Sequence, residues 1–502
     1  MNQGKGLVTR RSLLQVGALG FGSALLAACS QSAPAASPTT APSAGAGAAS
    51  STSSAQTAAT PASAQSGSAA APATKPTVAA ASAAAPAAST SGGAAPSGSI
   101  VFMDGINSHS KLCYQWAQEF SAATPGVKVQ VNFIADGTQM VNQLLVQAAG
   151  GTPPDVFTFF QEIIPIDAAV ERNLLFPIDD LIKRDNLDMS DFLPQAVNLN
   201  RWQGKLYALP RDYGNQQVYY NVDMFKKKGV PLPGTDWTDT TWTFDKYLEA
   251  AKALTETTGG KTTQWGILTN SVWRVWASFV YSNGGTVVKS DSNGVANAVS
   301  LTDDAAVAGM QFLQDLIYKD KVAPEPAAST DLGPVDFFGT NKVGMLIGNP
   351  TQVTQFRAIK AFTWDVAPLP LGKTDKRGSG GGGTAWGMAK AGKNPDAAWA
   401  LLKYITTAKA QLQEVAIGAT TPSRSSVVNS TEFLSPTLPP KNSKSFAQAQ
   451  GYVVRDPVNI NWPTILSKVV TPNIQLLFGG KNDAKTVAQM IKTQADPMWG
   501  KT

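Results

Sequence analysis

The chain has 502 residues, of which 43% are hydrophobic and 15% charged, and its formal net charge is +6. Residues 1–98 contain no acidic side chain and only four of the 41 basic ones, which leaves residues 99–502 with 37 basic and 35 acidic side chains and all twelve tryptophans. This nearly neutral body lacks the basic face of a nucleic-acid-binding protein, and its aromatic content predicts large cores in about two domains.

Two cysteines and one histidine exclude several kinds of site. A disulfide scaffold and a zinc site of Cys and His ligands are out of reach, so we predict no metal and no cofactor. A Ser-His-Asp triad could use only His109, which stands between Ser108 and Ser110. Since a lone histidine is usually a surface or loop residue, we interpret His109 as one.

The N-terminus has the features of an export signal. Residues 9–14 carry a twin-arginine pattern, and an apolar run follows from Leu13 to Ala28. With roughly 16 residues the run is shorter than the ~20 of a bilayer span, so residues 1–28 are predicted to be a signal peptide, by the Tat or the Sec route. Leu-Ala-Ala before Cys29 resembles the bacterial lipoprotein box, which implies cleavage there and a lipid on the Cys29 sulfur. An uncleaved anchor with an incidental cysteine is the alternative.

Residues 29–98 are predicted to be a disordered linker that begins at the lipidated cysteine. The segment is dominated by Ala, Ser, Thr, Pro and Gly, with Lys75 as its single charge and no aromatic residue. Such a chain buries too little apolar surface to offset its conformational entropy. The protein would therefore be exported and held by lipid at the extracytoplasmic side of the cell membrane, with its function in residues 99–502.

The first part of the body alternates between strands and helices. Residues 99–103 and 154–159 have the pattern of buried strands, and residues 128–135 alternate between apolar and polar side chains as a half-buried strand does. Apolar residues at helical spacing predict helices over 111–123 and 140–149. This strand-helix order implies a mostly parallel sheet covered by helices.

The second part repeats the alternation. Two helices are predicted behind threonine caps, one after Thr243 and one after Thr302. Short strands are predicted over 344–347 and 364–367. A further helix begins at Asn394 and Pro395, as a cap followed by a first-turn proline.

Several motifs in the body together resemble a known family. They are residues 100–107, the PPDVF of 153–157, the GKLYALP of 204–210, the YYNVDMF of 219–225, the SNGG of 282–285, the GMLIG of 344–348, the APLP of 367–370 and the NPDAAW of 394–399. In this order they resemble the extracellular solute-binding proteins of ABC importers, in particular the sugar-binding group that includes maltose-binding protein. The resemblance covers essentially all of residues 99–502.

The resemblance implies an α/β, two-lobed, periplasmic-binding-protein-like fold of type II. Each lobe would hold a mixed, mostly parallel sheet flanked by helices, with the ligand cleft between the lobes. Mapped onto this chain, lobe 1 would be about residues 99–212 and 380–425, and lobe 2 about 216–375 and 426–502. The first crossing between them would fall near residues 212–217, with Gly214 as a hinge.

Binding a sugar requires flat aromatic side chains for its C–H faces and planar polar side chains for its hydroxyl groups. The sequence has both kinds where the resemblance places the ligand, and we predict twelve ligand-binding residues: Asp104, Asn107, Phe160, Glu162, Asp212, Tyr213, Asn215, Trp273, Trp276, Asn349, Trp386 and Trp462. Each tryptophan could instead lie in a core, and Glu162 could instead be an ordinary surface charge. Phe159 and Phe160 must face opposite ways if both lie on a strand.

Residues 378–383 formally match the dinucleotide-binding pattern G-x-G-x-x-G. That interpretation needs a buried strand before the glycines and a helix after them, whereas residues 384–389 look like a strand. We therefore predict a glycine-lined second crossing, where the backbone approaches the ligand.

Together these features predict a lipid-anchored receptor that captures a carbohydrate, an oligosaccharide or glycoside, and delivers it to the permease of an ABC importer. Its body is expected to be monomeric and not an enzyme. Three alternatives stay open: an extracellular glycosidase; the same fold binding a glycerol phosphate ester, a polyamine or a metal complex; and a sensory protein.

Overall fold

The computed structural model describes residues 96–326, 333–434 and 436–500. The predicted signal peptide, the lipidation site Cys29 and nearly all of the predicted linker lie outside these residues. Within the described ranges, none of the helices combines the length and the apolar character that crossing a bilayer requires.

In the part of the chain that the structure describes, the strands form two five-stranded sheets and three two-stranded ones. In chain order they are β1 (Gly98–Gly105), β2 (Val127–Ile134), β3 (Val156–Phe160), β4 (Arg201–Trp202), β5 (Lys205–Leu206), β6 (Ala208–Pro210), β7 (Gln217–Asn221), β8 (Glu256–Thr258), β9 (Lys261–Leu268), β10 (Val288–Ser290), β11 (Ala296–Val299), β12 (Val343–Gly348), β13 (Trp364–Ala367), β14 (Ser379–Gly381), β15 (Thr384–Met388) and β16 (Val453–Arg455).

Helices cover both large sheets. They are α1 (Ser110–Ala123), α2 (Gly137–Ala149), α3 (Ile166–Glu171), α4 (Asp179–Arg184), α5 (Pro194–Leu199), α6 (Val222–Lys228), α7 (Phe244–Leu254), α8 (Trp273–Ser282), α9 (Asp304–Tyr318), α10 (Pro334–Gly339), α11 (Val353–Phe356), α12 (Pro395–Ile405), α13 (Ala408–Ile417), α14 (Ser425–Val428), α15 (Thr431–Leu434), α16 (Lys444–Gln448), α17 (Trp462–Ile465), α18 (Thr471–Phe478) and α19 (Ala484–Ala495).

The first large sheet has the strand order β2-β1-β3-β15-β6, and we call the part of the chain built on it lobe 1. β1 runs parallel to β2 and β3, while β15 is antiparallel to β3 and β6. Successive residues of β1 enter different cores, Phe102 on one face and Met103 on the other. A strand that is buried on both faces has a continuous apolar run in its sequence. The strand predicted over residues 99–103 is therefore confirmed.

The second large sheet has the order β13-β7-β12-β9-β8, and we call the part built on it lobe 2. β12 is parallel to β9 and antiparallel to β7. Tyr219 and Tyr220 of β7 face different cores because neighbours on a strand point in opposite directions. The C-terminal helices α17, α18 and α19 contribute side chains to the larger of these cores.

Two segments cross between the lobes side by side. Gly214 and Gly382 form two backbone hydrogen bonds with each other. The Gly214 amide donates to the Gly382 carbonyl at 2.6 Å, and the Gly382 amide donates to the Gly214 carbonyl at 3.1 Å. A Cβ added at Gly381 or Gly383 would overlap the carbonyl oxygen of Gly214 or Asp212 respectively. The glycine run of 380–383 therefore allows two backbones to lie in contact.

Of the three predicted helix caps, one is confirmed, one is wrong, and one has the predicted position without a capping side chain. Thr243 accepts a hydrogen bond from the Lys246 amide, as predicted. α9 instead begins after Asp303, one residue beyond the predicted cap Thr302. Asn394 directly precedes α12 and Pro395 is its first residue, as predicted. The Asn394 side chain does not cap the helix but donates to the Ser99 carbonyl at 2.9 Å, which ties this helix to β1.

Candidate functional site

A cavity of about 230 Å³ is lined by residues of both lobes. Lobe 1 contributes the loop between β1 and α1, the end of β3, and the segments that follow β6 and precede β15. Lobe 2 contributes the first turn of α8 and the turn after β12. The backbone of the two crossings lines the same cavity at Gly214, Gly382 and Gly383. The cavity thus lies where strand ends of both sheets meet the crossings, the usual place for a ligand in an open α/β sheet.

The structure brings half of the predicted ligand-binding residues together around this cavity. They are Asn107, Phe160, Glu162, Asp212, Asn215 and Asn349. On β3 the paired phenylalanines face opposite ways, with Phe159 buried in the core and Phe160 on the cavity side. Among the described residues that line the cavity, Phe160 is the one Phe, Tyr or Trp side chain.

The three amide residues of this group already hydrogen-bond to backbone groups. Asn107 donates to the Gly105 carbonyl at 2.7 Å and accepts from the His109 amide at 3.0 Å, which shapes the loop after β1. Asn349 accepts from the Thr351 amide at 3.0 Å. Asn215 donates to the Phe446 carbonyl at 2.9 Å. A ligand would compete with these bonds for any amide that it uses.

Three predicted tryptophan platforms are wrong, because their indole rings lie in cores. Trp386 on β15 is fully buried and packs edge-to-face against Phe102 and Trp116. Trp276 is buried within α8, and Trp462 stacks on Trp499 at 6.0 Å. Rings with no exposed face cannot stack on a sugar.

Asp104, Tyr213 and Trp273 also lie away from the cavity wall. Asp104 is fully buried beneath the cavity-lining His109. Tyr213 belongs to a small core with Leu193 and Leu199. The half-buried Trp273 donates its indole N–H to the Asp456 carboxylate at 2.9 Å, and that carboxylate in turn binds an arginine of the cavity.

Asp104 organises a buried polar cluster under the cavity. Its carboxylate accepts from the Thr158 hydroxyl at 2.6 Å, the Gly105 amide at 2.8 Å and the Cys113 thiol at 3.4 Å, and its Oδ2 lies 3.0 Å from His109 Nε2. Burial alone would raise the pKa of Asp104, but the partners, His109 foremost, hold it below its ordinary value. Burial, and after it the negative charge of Asp104, raises the pKa of the Cys113 thiol well above its ordinary value.

Asp104, His109 and Cys113 also have the composition of a metal site, since their ligand atoms lie within 4.8 Å of one another. The protonated thiol and the imidazole both hydrogen-bond to the Asp104 carboxylate. The trio therefore satisfies itself by internal hydrogen bonds. His109 lies in the loop between β1 and α1, as one of its two interpretations had it, but it is not a surface residue, because its ring is buried.

Arg211 connects this cluster to the cavity. Its guanidinium lies 2.8 Å from Glu414 Oε1, 3.1 Å from the Thr384 hydroxyl and 2.9 Å from His109 Nδ1. Burial would lower the pKa of Arg211, but the Glu414 and Asp212 carboxylates raise it above its ordinary value. Asp212 in turn accepts from the Thr384 amide at 2.7 Å and from its hydroxyl at 2.6 Å. Arg211 is therefore charged and fully engaged.

Arg274 of α8 joins the lobes. Its Nη1 lies 2.8 Å from the carboxylate of Glu162, which follows β3 in lobe 1. Its Nε and Nη2 form a two-point contact with Asp456 at 3.1 and 2.6 Å. Burial would lower the pKa of Arg274, but Asp456 and Glu162 raise it above its ordinary value. The Glu162–Arg274 ion pair is thus a direct side-chain link across the cavity.

Sequence reasoning missed His109, Arg211 and Thr384 as parts of the cavity wall. Arg211 directly precedes the predicted residue Asp212, so proximity in the chain was an available signal. Nothing local marks Thr384 or Glu414, because each meets Arg211 only through a contact across more than 170 residues.

Replacing Glu162 with glutamine is expected to move the lobes apart in the ligand-free protein. The side chain of Glu162 is 46% exposed, so loss of the pair should shift the ratio of closed to open forms by no more than about fivefold. Lys128 in lobe 1 and Lys289 in lobe 2 are exposed, so a donor and an acceptor dye can be attached to Lys128→Cys and Lys289→Cys. Lobes that are further apart would lower the fluorescence energy transfer between the two dyes.

The matched control for this change is Glu249→Gln, which removes an exposed ion pair with Lys246 on α7, away from the cavity. The transfer efficiency of the control should equal that of the parent chain. The difference between Glu162→Gln and the parent should shrink as salt screens the pair. Unchanged energy transfer in Glu162→Gln would mean that the pair does not hold the lobes.

The model of the family described as bacterial extracellular solute-binding protein matches residues 107–412, more than half of the chain. The chain belongs to this family. Among curated members, the arabinooligosaccharide-binding protein of Bacillus subtilis is 25% identical over 307 residues, which are 59% of this chain and 66% of that protein. A putative binding protein of Brucella abortus is 22% identical over 57% of this chain and 66% of its own. The chain thus spans just under two thirds of the length of these relatives.

Solved solute-binding proteins have the same fold. An ABC substrate-binding protein from Listeria monocytogenes, in complex with cycloalternan, matches with a TM-score of 0.68 at 22% identity, over 80% of this chain and 98% of that one. UgpB from Mycobacterium tuberculosis, in complex with glycerophosphocholine, matches with the same TM-score at 16% identity and the same coverage. These likenesses confirm the predicted two-lobed α/β fold, while their ligands differ in chemistry.

Proposed function

We propose that this solute-binding protein captures a neutral carbohydrate, an oligosaccharide or glycoside, between its lobes and presents it to the permease of an ABC importer. The observation that carries the proposal is the cavity shared by both lobes, whose charged groups are paired with one another. The names of relatives that bind arabinooligosaccharide, maltotriose and lactose support a carbohydrate. Delivery to a permease rests on the family alone.

The charges around the cavity argue against an anionic ligand. Arg211 and Arg274 line it, and each is held by two carboxylates. A phosphate ester would have to displace these carboxylates and would then lie close to them, with a large desolvation cost. A neutral sugar brings no charge that would have to displace these carboxylates.

The polar groups at the cavity suit the hydroxyl groups of a sugar better than an anion. Thr421 lines the cavity, and within the described chain its hydroxyl has no hydrogen-bond partner. Phe160 adds one aromatic surface for a C–H face, and Gly382 and Gly383 expose backbone to the ligand. The cavity volume of about 230 Å³ lies below the roughly 300–1,000 Å³ of typical ligand sites, so an oligosaccharide would bind with the lobes further apart or extend beyond the cavity.

A thermal-shift screen tests the class of ligand, because a ligand raises the melting temperature by mass action. The panel contains neutral oligosaccharides and glycosides, glycerophosphodiesters, polyamines and metal chelates. We expect a rise with one group of neutral saccharides, and a smaller rise in Phe160→Ala than in the parent. A rise with phosphate esters alone would overturn the choice of ligand. A rise with polyamines alone would do so too, and would indicate that the carboxylates around the cavity bind cations.

The ligand should leave the protein chemically unchanged, since solute-binding proteins are not enzymes as a family. Glu162 and Asp212 are the carboxylates that line the cavity, and both are engaged, with Arg274 and Thr384 respectively. Mass spectrometry of saccharide recovered after incubation should show the starting compound alone. New reducing ends would instead support a glycosidase.

The remaining parts of the proposal concern the termini and the partners. Lipid attachment at Cys29 would hold the exported, monomeric body near the permease at the membrane surface. Cys29→Ser should release the protein from the membrane fraction of the producing cell. If the protein served signalling and not transport, it would bind its ligand, but the cells that carry it would not take the ligand up.

A further inference from the structure

The histidine of this chain lies in the cavity wall, where its two ring nitrogens have opposite roles. Nε2 lies 3.0 Å from Asp104 Oδ2, and Nδ1 lies 2.9 Å from Arg211 Nη2. A guanidinium has donors only, so Nδ1 of His109 must be the acceptor. The ring proton then belongs on Nε2, where it is donated to Asp104. The contacts thus select the neutral ring with its proton on Nε2.

We propose that His109 is a positioning residue for ligand binding: its neutral ring holds Arg211 in the cavity wall, and protonation of Nδ1 releases Arg211 and weakens binding. This rests on the proposed capture of a ligand in the cavity. His109 acts through Arg211, whose guanidinium also donates to the Thr384 hydroxyl. The same hydroxyl donates to Asp212, a further residue of the cavity wall.

Protonation changes this chain of contacts at one atom. An imidazolium has no acceptor, so its Nδ1–H would point at an N–H of Arg211, and two cations would stand in hydrogen-bonding distance. The Nδ1 to Nη2 bond is then lost, while the bond from Nε2 to Asp104 survives. Arg211 must turn toward Glu414 or away from the wall, and Thr384 and Asp212 lose their fixed neighbour.

Charged and titratable groups reach His109 from several elements. Asp104 on β1 faces Nε2 of the ring, and Arg211 after β6 faces Nδ1. Cys113 on α1 lies behind Asp104, with a thiol whose pKa is raised by burial. Glu414 on α13 lies beyond Arg211, and burial raises the pKa of its carboxyl. Glu414 is therefore the rival source of any titration in the weakly acidic range.

Nitrogen NMR of the histidine-labelled full chain tests the starting geometry directly. The chain has one histidine, so a single imidazole spectrum must appear. We expect Nε2 protonated and Nδ1 unprotonated at about pH 7.5, and the Nε–H signal of Arg211 should shift with the midpoint at which His109 titrates. A proton on Nδ1 at neutral pH, or an Arg211 signal that ignores the His109 titration, would overturn the proposal without any ligand.

Two substitutions separate the contacts of the ring. In His109→Asn the amide oxygen can take the place of Nδ1 and accept from Arg211, whereas His109→Gln reaches toward Asp104 and leaves Arg211 without its acceptor. Neither side chain titrates. We expect the parent to bind its saccharide more weakly in acidic than in neutral buffer, and both variants to lose that dependence. The asparagine variant should bind more tightly than the glutamine variant.

The outcomes separate the two proposals. A pH dependence that persists in both variants would assign it to Glu414 and overturn the role of His109. Equal affinities of the two variants would likewise remove Arg211 from the mechanism. If no saccharide of the panel binds at any pH, the proposed ligand fails, and the NMR titration of His109 and Arg211 still decides the geometry. Melting temperatures of both variants confirm that each is folded.

Discussion

Arg211→Met is expected to lower the free energy of unfolding by about 3–5 kcal/mol, the cost of leaving a buried charge without its partner. The charge is that of Glu414, which is fully buried. Its Oε1 accepts from Arg211 at 2.8 Å, and its Oε2 has no hydrogen-bond partner in the described chain. Urea unfolding at neutral pH would measure the loss.

Arg201→Met is the matched control for this substitution. Arg201 and Asp179 form a wide, exposed pair at 3.6 Å, so its loss should change stability by no more than about 1 kcal/mol. A second control adds Glu414→Leu to Arg211→Met, which removes the orphaned carboxylate. The double variant should be more stable than Arg211→Met alone. If Glu414→Leu brings no recovery, the buried charge is not the cause of the loss.

The pH dependence of the same variant follows from the Glu414 carboxyl. Burial raises its pKa above the ordinary value, while Arg211 opposes this rise. A group whose pKa is higher in the folded than in the unfolded chain stabilises at low pH, and that stability is lost as pH rises through the folded pKa. Because Arg211→Met removes the opposing charge, the variant should approach the parent as pH falls from about 7 to about 5. A constant difference would contradict this.

Gly383→Ala is expected to weaken ligand binding by tenfold or more, on the order of 1.4 kcal/mol, and to destabilise the fold by about 1–3 kcal/mol. The added methyl group would overlap the carbonyl oxygen of Asp212. Backbone cannot yield as the end of a flexible side chain does, and the two crossings are held together at Gly214 and Gly382. The overlap would therefore push apart the two segments that line the cavity. Calorimetric titration with the saccharide from the screen measures the affinity.

Gly451→Ala is the control for the glycine substitution, because a Cβ there meets no atom within 4 Å. We expect its affinity to match that of the parent and its stability to change by less than about 0.5 kcal/mol. Parent-like affinity in Gly383→Ala would show that the close approach of the crossings does not shape the site.

Local patterns were sufficient for the most regular strands and helices, and the order of the family-like motifs for the two-lobed fold. The alternation along β2 and the apolar stripe of α1 follow from the pleat of a strand and the turn of a helix, which depend on neighbours in the chain. The cap predicted at Thr302 was one residue too early. Asn394 stands at the predicted position, but its side chain bonds to Ser99, a residue far away in sequence, and not to the helix. Residues next to strand ends, such as Asn107 and Asn349, were predicted at the cavity because strand ends converge there.

By itself, the sequence determined the most regular strands and helices, the family, and several loops that reach the cavity, since periodicity, turns and motifs are written in consecutive residues. Only the tertiary structure decided which side chains face the cavity. Trp386 lies in a core because α1 supplies Trp116 against its ring, and the guanidinium of Arg211 meets Glu414 across 203 residues. Burial and charge compensation depend on contacts between distant segments, and no local pattern encodes them.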